Sequence, residues 1–170
     1  MGKAPRLVDF TQIDTSKVVS TQEDIRQFNL QRHEMEMLSG VVYENLESRV
    51  CVAFQDVSPD AFWCRGHMPG CPIMPGVLIC ECAAQAASYL AAKFVQLPEG
   101  YIIGLGGLDS VKIRGSVFPG DRLFVCVHLS EVRHRMMLID FEAVVNNEVV
   151  ADGQIKGVMV SSTPVNRNSA

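Results

Sequence analysis

The sequence has no long run of lysine or arginine, and its charges nearly balance. Fifteen basic and 19 acidic side chains give a formal net charge of -4 over 170 residues. A protein whose main partner is nucleic acid usually carries a concentrated positive face, so this composition argues against that class. The hydrophobic share of 48% and the charged share of 20% are typical of one globular domain.

The sequence also lacks the features of an export signal or a membrane span. Lys3 and Arg6 are not followed by the apolar core that a secretory signal peptide needs. The longest apolar stretch, residues 77–95, is interrupted by polar side chains, so we do not predict that it spans a membrane. We expect a cytoplasmic protein in which buried cysteines stay reduced.

The order of the expected elements indicates an α+β fold. The sequence predicts an arm at 1–20 that is poorly ordered or lies on a neighbouring subunit, one domain at 21–160, and a tail at 161–170. Within the domain we expect a short helix at 24–30, one long helix at 76–96, and strands at 41–43, 49–55, 101–105, 110–117, 123–131, 136–145 and 149–160. One apolar helix followed by long consecutive strands indicates a curved antiparallel sheet wrapped around that helix.

Residues 66–85 (GHMPGCPIMPGVLICECAAQ) hold the side chains most suited to chemistry. His67 lies in a proline-rich loop, and Glu81 falls on the second turn of the long helix. Pro75 suits the start of a helix, which leaves the Gly76 amide as an unpaired donor at the positive end of the helix dipole. An imidazole, a carboxylate and a polarising N–H suit the removal of a proton next to a carbonyl. Either the loop folds back over the helix or a partner subunit supplies His67.

The pattern H-M-P-x-x-P-x-M-P-G-V-L-x-x-E-x-x-A-Q in this stretch resembles the active-site signature of the 3-hydroxyacyl-acyl-carrier-protein dehydratases. These are FabZ-like enzymes with the hot-dog fold. Segments 40–58, 101–109 and 117–123 and the final hairpin resemble the same family in order, so the likeness spans roughly residues 30–160. The resemblance implies that His67 and Glu81 are catalytic and that the Gly76 amide polarises the thioester carbonyl. Glu81, where isomerising relatives carry Asp, implies dehydration alone.

The resemblance implies dehydration of a 3-hydroxyacyl thioester on acyl carrier protein to the trans-2-enoyl thioester, with no cofactor and no metal. His67 would take the C2 proton, while the leaving hydroxyl would receive a proton from Glu81 or from His67 through a water. It further implies a homodimer in which the two catalytic residues of one site come from different subunits. Such dimers are often gathered into a trimer of dimers.

The sequence departs from the family pattern at positions that bear on the length of the acyl chain and on docking of the carrier protein more than on the type of reaction. Segment 32–40 lacks the family's aromatic and proline pattern, and Gly115-Ser116 replaces a common Arg-Pro pair. The expected substrate tunnel is lined by Met68, Met74, Val77 and Gln85, and the pliable methionines would accept a broad set of acyl chains. Five basic side chains are either solvated surface charges or a docking patch for the acidic carrier protein. They are Lys112, Arg114, Arg122, Arg133 and Arg135.

Two alternative functions stay open at this point. In a hot-dog acyl thioesterase Glu81 would activate water, and the placement of His67 argues against this. A non-catalytic acyl-binding homologue would keep the fold without turnover, and the divergent segment 32–40 keeps this alternative open. Cys64, His67 and Cys71 have spacings that fit zinc ligands, but a fourth ligand is lacking, so no metal is predicted.

Overall fold

In the computed structural model, which describes residues 7–162, one long helix lies against a seven-stranded sheet. The helices are α1 (Gln22–Ile25) and α2 (Gly76–Val95), with 3-10 turns at Phe10–Gln12 and His33–Met35. The strands are β1 (Ser20–Thr21), β2 (Gly40–Asn45), β3 (Val50–Asp56), β4 (Tyr101–Ile113), β5 (Arg122–Arg133), β6 (Met136–Val145) and β7 (Glu148–Ser161). Their order is β1-β2-β3-β5-β6-β7-β4, and all neighbours are antiparallel. The predicted α+β architecture is confirmed.

Helix α2 forms where the sequence is free of proline and rich in alanine and leucine. Pro75 occupies the cap position, and Gln96 ends the helix in a left-handed conformation while its amide donates to the Ala92 carbonyl. By length and composition the helix could cross a membrane, but 67% of its most apolar window is buried inside the fold. Helix α2 is therefore the core helix that the sequence predicts.

The sheet is apolar on both faces because alternate residues of its strands point to opposite sides. Cys51, Ala53 and Val125 pack toward α2 in the main core. Their neighbours Val52 and Phe54 belong to a second cluster on the outer face, which also includes Leu7, Val8, Phe10 and Ile13. The second cluster shows that both faces of the sheet are covered.

The N-terminal arm supplies the cover of that outer face. Residues 7–20, for which the sequence predicts a poorly ordered arm, pack on the sheet, and the Leu7 amide donates to the buried Glu142 carboxylate at 3.0 Å. Phe10 and Phe124 meet edge to face with ring centroids 5.4 Å apart. The rest of the predicted arm and tail, residues 1–6 and 163–170, lies outside the described residues.

Two predicted elements differ from the structure. The expected strands at 101–105 and 110–117 form the single strand β4, because β7 pairs with it through register irregularities at Leu105/Gly107 and Asp109/Lys112. The first irregularity falls at Gly106, between the two expected strands. The short helix is confined to α1, where Thr21 and Asp24 form a capping box.

Gly153 is required where β7 passes β4. A Cβ atom on this residue would lie 2.9 Å from the Val111 Cα and 3.1 Å from the Phe141 ring. We expect Gly153→Ala to lower the free energy of unfolding by about 1–3 kcal/mol, because the backbone of β4 would have to shift. The measurement is urea unfolding. Gly66→Ala is the control, since nothing lies within 4 Å of its added Cβ, and an equal midpoint for both variants would contradict the expectation.

Candidate active site

His67 is positioned by turns that precede helix α2. Its amide donates to the Trp63 carbonyl at 2.8 Å, and its carbonyl accepts from the Ile73 amide at 2.9 Å. Its ring Nδ1 lies 2.7 Å from the Ile73 carbonyl oxygen. Because a carbonyl oxygen only accepts hydrogen bonds, Nδ1 carries the proton in this contact. In neutral His67 the lone pair is therefore on Nε2, which is the atom able to act as a base.

The start of α2 offers unpaired amides. The Pro75 carbonyl accepts from the Leu78 and Ile79 amides at 2.8 and 3.3 Å, so the amides of Gly76 and Val77 precede the first bonds of the helix and lie at the positive end of its dipole. A Cβ on Gly76 would lie 3.1 Å from Ile113 Cγ1, which packs over this end of the helix from β4. A glycine here lets β4 approach the helix start closely.

Glu81 is half-buried on the second turn of α2, where its carboxylate is held by an amide. Gln85 Nε2 donates to Glu81 Oε1 at 2.7 Å, as the spacing of four residues on one helix allows. The carboxyl group lines a cavity of about 60 Å³ with the half-buried side chains of Ala84 and Ser88. Because Oε1 is occupied, Oε2 is the oxygen available to a ligand.

Gln85 itself is buried, with 2% of its surface exposed. Its Nε2 also donates to the Met35 carbonyl at 2.7 Å, and its Oε1 accepts from the Met37 amide at 3.1 Å. Residues 35–37 belong to the divergent segment 32–40, which a two-point contact between Arg26 and Glu36, at 2.5 and 2.9 Å, holds from the solvent side. The contact with Arg26 holds the pKa of Glu36 below its usual value. Gln85 thus fastens the divergent segment to the residue that bears the candidate carboxyl group.

The four residues expected to line a tunnel are not together within one chain. The Met74 side chain packs in the main core, and the Gln85 side chain is buried on the inner side of the helix. Met68 and Val77 face outward, with 54% and 75% of their surfaces exposed. Val77 lies one turn before Glu81 on the exposed side of α2.

The contacts of one chain do not link His67 to Glu81. No hydrogen bond joins them within residues 7–162, and His67 is absent from the lining of the cavity that holds Glu81.

The five basic residues do not converge on one edge of a single chain. Lys112 is opposite Asp152 of β7, whereas Arg133 is opposite Met136, which in turn faces Val158 of β7. These two positions are six residues apart on β7, which corresponds to about 20 Å. The ion pairs in this set join Arg114 to Asp152 at 2.7 Å, Arg122 to Asp56 at 2.6 Å and Arg133 to Glu131.

The cysteines fill the core or the loop. Cys51, Cys82 and Cys126 are buried, and burial raises the pKa of each thiol, so they remain protonated. Among the described residues no group of three or more His, Cys, Asp or Glu side chains is placed to hold a metal ion.

Solved structures share this architecture. The chain matches the dehydratase heterocomplex ApeI:P from Xenorhabdus doucetiae with a TM-score of 0.65 and 16% identity, over 81% of this chain and 91% of that one. A hot-dog-like protein from Thermanaerovibrio acidaminovorans matches with 0.55 and 19%, over 66% and 82%. The fluoroacetyl-CoA thioesterase FlK matches with 0.58 and 14%, over 66% and 85%. The molecule therefore has the hot-dog fold.

The family follows from the sequence. Residues 29–154 match the FabA-like domain family, and the chain belongs to that family. Proteins with this fold include both dehydratases and thioesterases, so the reaction has to be argued from the site.

Sequence reasoning missed the contacts of Gln85 with residues 35–37. The four-residue spacing of Glu81 and Gln85 indicates a shared helix face, but the partners of the amide lie about fifty positions away and left no local signal.

We expect Gln85→Leu to lower the free energy of unfolding by about 2–4 kcal/mol, because the buried Met37 amide would be left without an acceptor and the Met35 carbonyl would lose its donor. Urea unfolding measures the loss, and hydrogen exchange at the Met37 amide locates it. Gln154→Leu is the control, since that half-exposed amide makes one bond, to Asp140 at 2.9 Å. If the Met37 amide of Gln85→Leu were protected from hydrogen exchange as strongly as in the unmodified protein, its hydrogen bond to Gln85 would not be needed to hold the segment.

Proposed function

We propose that the protein dehydrates 3-hydroxyacyl thioesters, carried on acyl carrier protein, to trans-2-enoyl thioesters. The observation that carries the proposal is the hydrogen bond between His67 Nδ1 and the Ile73 carbonyl. It leaves Nε2 of a neutral imidazole as a base in a loop next to an amide-rich helix start, which is the equipment for removing a proton next to a thioester carbonyl.

The proposed reaction begins when His67 Nε2 takes a proton from C2 of the substrate. The Gly76 amide, at the positive end of the α2 dipole, stabilises the negative charge that develops on the thioester oxygen. The electron pair then forms the C2–C3 double bond as the C3–O bond breaks. The hydroxyl leaves as water after it receives a proton, either from Glu81 Oε2 or from His67 through a water that Glu81 orients.

The proposed catalytic unit is a homodimer. Strand β4 is an edge strand of 13 residues, and Leu105, Leu108 and Ile113 are exposed along it. A long apolar edge of this kind is suited to pairing with another strand. Pairing two copies through β4 would place α2 of each copy near the other subunit, so His67 of one copy can serve Glu81 of its partner.

The acyl carrier protein is the proposed donor of the substrate in the cytoplasm. Lys112 and Arg114 flank Ile113, whose side chain packs by the helix start at Gly76. Because alternate residues of a strand point to opposite faces, Lys112 and Arg114 point away from the helix start, into a cavity on the outer face that Glu142 and Asp152 also line. Arg133 and Arg135 lie at the far end of the strands. We propose that the Lys112 and Arg114 pair meets the acidic carrier.

Thioester hydrolysis is the second candidate function. The fold is shared with the thioesterase FlK, and a carboxylate with one oxygen fixed by Gln85 has its other oxygen free to activate water. The fixed tautomer of His67 favours dehydration, because hydrolysis through Glu81 makes no use of it.

Replacing the two candidate residues separates these functions. We expect His67→Asn and Glu81→Gln each to reduce the rate of enoyl formation by roughly 10²- to 10⁴-fold. The assay follows enoyl absorbance and free thiol together from one 3-hydroxyacyl thioester. His134→Asn and Glu148→Gln are the matched controls, since both residues are exposed at hairpin ends. Free thiol without enoyl product would indicate hydrolysis, and neither product would indicate a non-catalytic acyl-binding protein.

The shared site of the dimer makes a further prediction. His67→Asn and Glu81→Gln chains that are unfolded together and refolded as a mixture should recover part of the lost activity, because each mixed dimer keeps one complete site. The measurement is the enoyl rate of the mixture against that of each variant refolded alone. Recovery should be absent if both residues of a site come from one chain.

A further inference from the structure

Three adjoining cavities follow α2 beyond Glu81, and together we name them the helix groove. The first, of about 60 Å³, contains Glu81 and shares Gln31, Ser88 and Ile103 with the second, of about 280 Å³. The third measures about 550 Å³, and the residues that it shares with the second are Phe28, Leu30 and Ile102. The helix groove therefore runs along the helix, away from the end that bears Gly76.

Four of the seven residues that line the second cavity are apolar, and the other three, Asn29, Gln31 and Ser88, are polar. Ser88 is half-buried there, and its hydroxyl makes no hydrogen bond within residues 7–162. The side-chain amide of Gln31 lines the same cavity and is likewise without a partner in the described chain. Polar groups that are few and accessible in an apolar cleft are those that orient a ligand.

Asn29 has a buried acceptor atom at the second cavity that lacks a hydrogen-bond donor. It also lines the second cavity, and its Nδ2 donates to the Gln85 carbonyl at 2.9 Å, which fixes the orientation of its amide. Its Oδ1 is buried and accepts no hydrogen bond from any described residue. Because Oδ1 is shielded from solvent, Ser88 and Gln31 are the groups that a ligand would meet first.

The spacing along α2 places these groups in register with the proposed reaction. Ser88 comes seven residues after Glu81 on the same helix. Seven residues are two helical turns, or about 10 Å. An acyl chain with its C3 at Glu81 can therefore extend along the helix groove and reach Ser88.

We propose that the helix groove selects acyl chains that carry a second hydroxyl group about 10 Å beyond C3, and that Ser88 and Gln31 hydrogen-bond this hydroxyl. The direction of the chain rests on the proposed function. A hydroxyl can donate and accept, so it satisfies both side chains, whereas a plain alkyl chain would cover them and leave them unpaired.

A hydroxyl scan tests the proposal without requiring turnover. The probes are amide analogues of a 3-hydroxyacyl pantetheine thioester, equal in chain length, in which one extra hydroxyl is moved carbon by carbon. Calorimetry measures the dissociation constant of each. We expect one distal position to bind roughly five- to tenfold more tightly than the plain chain. A keto group at that position should bind less tightly than the hydroxyl, because it cannot donate.

Variants decide whether Ser88 is responsible. Ser88→Ala should remove the distal preference, and Ala84→Ser combined with Ser88→Ala should move it toward the thioester, because the hydroxyl moves back by one turn, about 6 Å. Ser130→Ala is the control, since that exposed hydroxyl bonds to the Leu138 carbonyl outside the helix groove. A flat scan, or a preference that survives Ser88→Ala, would overturn the proposal.

Turnover of the matching thioesters keeps the two proposals apart. Enoyl formation with a flat binding scan overturns the distal site and leaves the dehydratase function standing. A peak in the scan without enoyl product overturns the dehydratase function and supports the distal site. Failure of every analogue to bind overturns the distal site.

Discussion

The amide of Gln85 is buried within the apolar helix α2, where an unpaired amide would cost free energy. The structure meets this cost by pairing both of its side-chain polar atoms, to Glu81, to the Met35 carbonyl and to the Met37 amide. The orientation of the Glu81 carboxylate thus depends on where residues 35–37 lie. The backbone atoms of this segment make the contacts with Gln85, so these contacts do not depend on the side chains of residues 35 and 37.

A second constraint comes from the sheet, because both of its faces are apolar and the one long helix can cover only one of them. Helix α2 covers the inner face, and residues 7–20 cover the outer one through Leu7, Phe10 and Ile13. Each strand of the middle of the sheet is consequently apolar at nearly every position, for example at 51–54 of β3. With the inner face fixed in this way, the helix can present only one narrow stripe outward, and that stripe contains Val77, Glu81 and Ser88.

Local patterns predict the parts of the molecule that local forces determine. The bounds of α2 follow from its composition and from Pro75 before it, and the Thr21 and Asp24 capping box follows from spacing alone. The likeness at 66–85 indicates the candidate site residues but does not show where they meet. The features that the sequence does not reveal depend on the pairing of strands that are far apart along the chain. The continuity of β4 depends on β7, and the separation of Lys112 from Arg133 depends on strand register.

Dehydratases and thioesterases share this fold, so the choice between them depends on proton positions rather than on topology. Hydrolysis needs one base that activates water. Elimination of water needs a base at C2 and also a proton donor for the hydroxyl group at C3, the other carbon of the new double bond. His67 with its proton fixed on Nδ1, and Glu81 with Oε1 fixed by Gln85, each present one free atom of defined character. Two such atoms on different elements suit a reaction with two proton transfers. In the proposed dimer the edge of β4 brings these two atoms to one site, so that edge is as important to the proposed chemistry as either side chain.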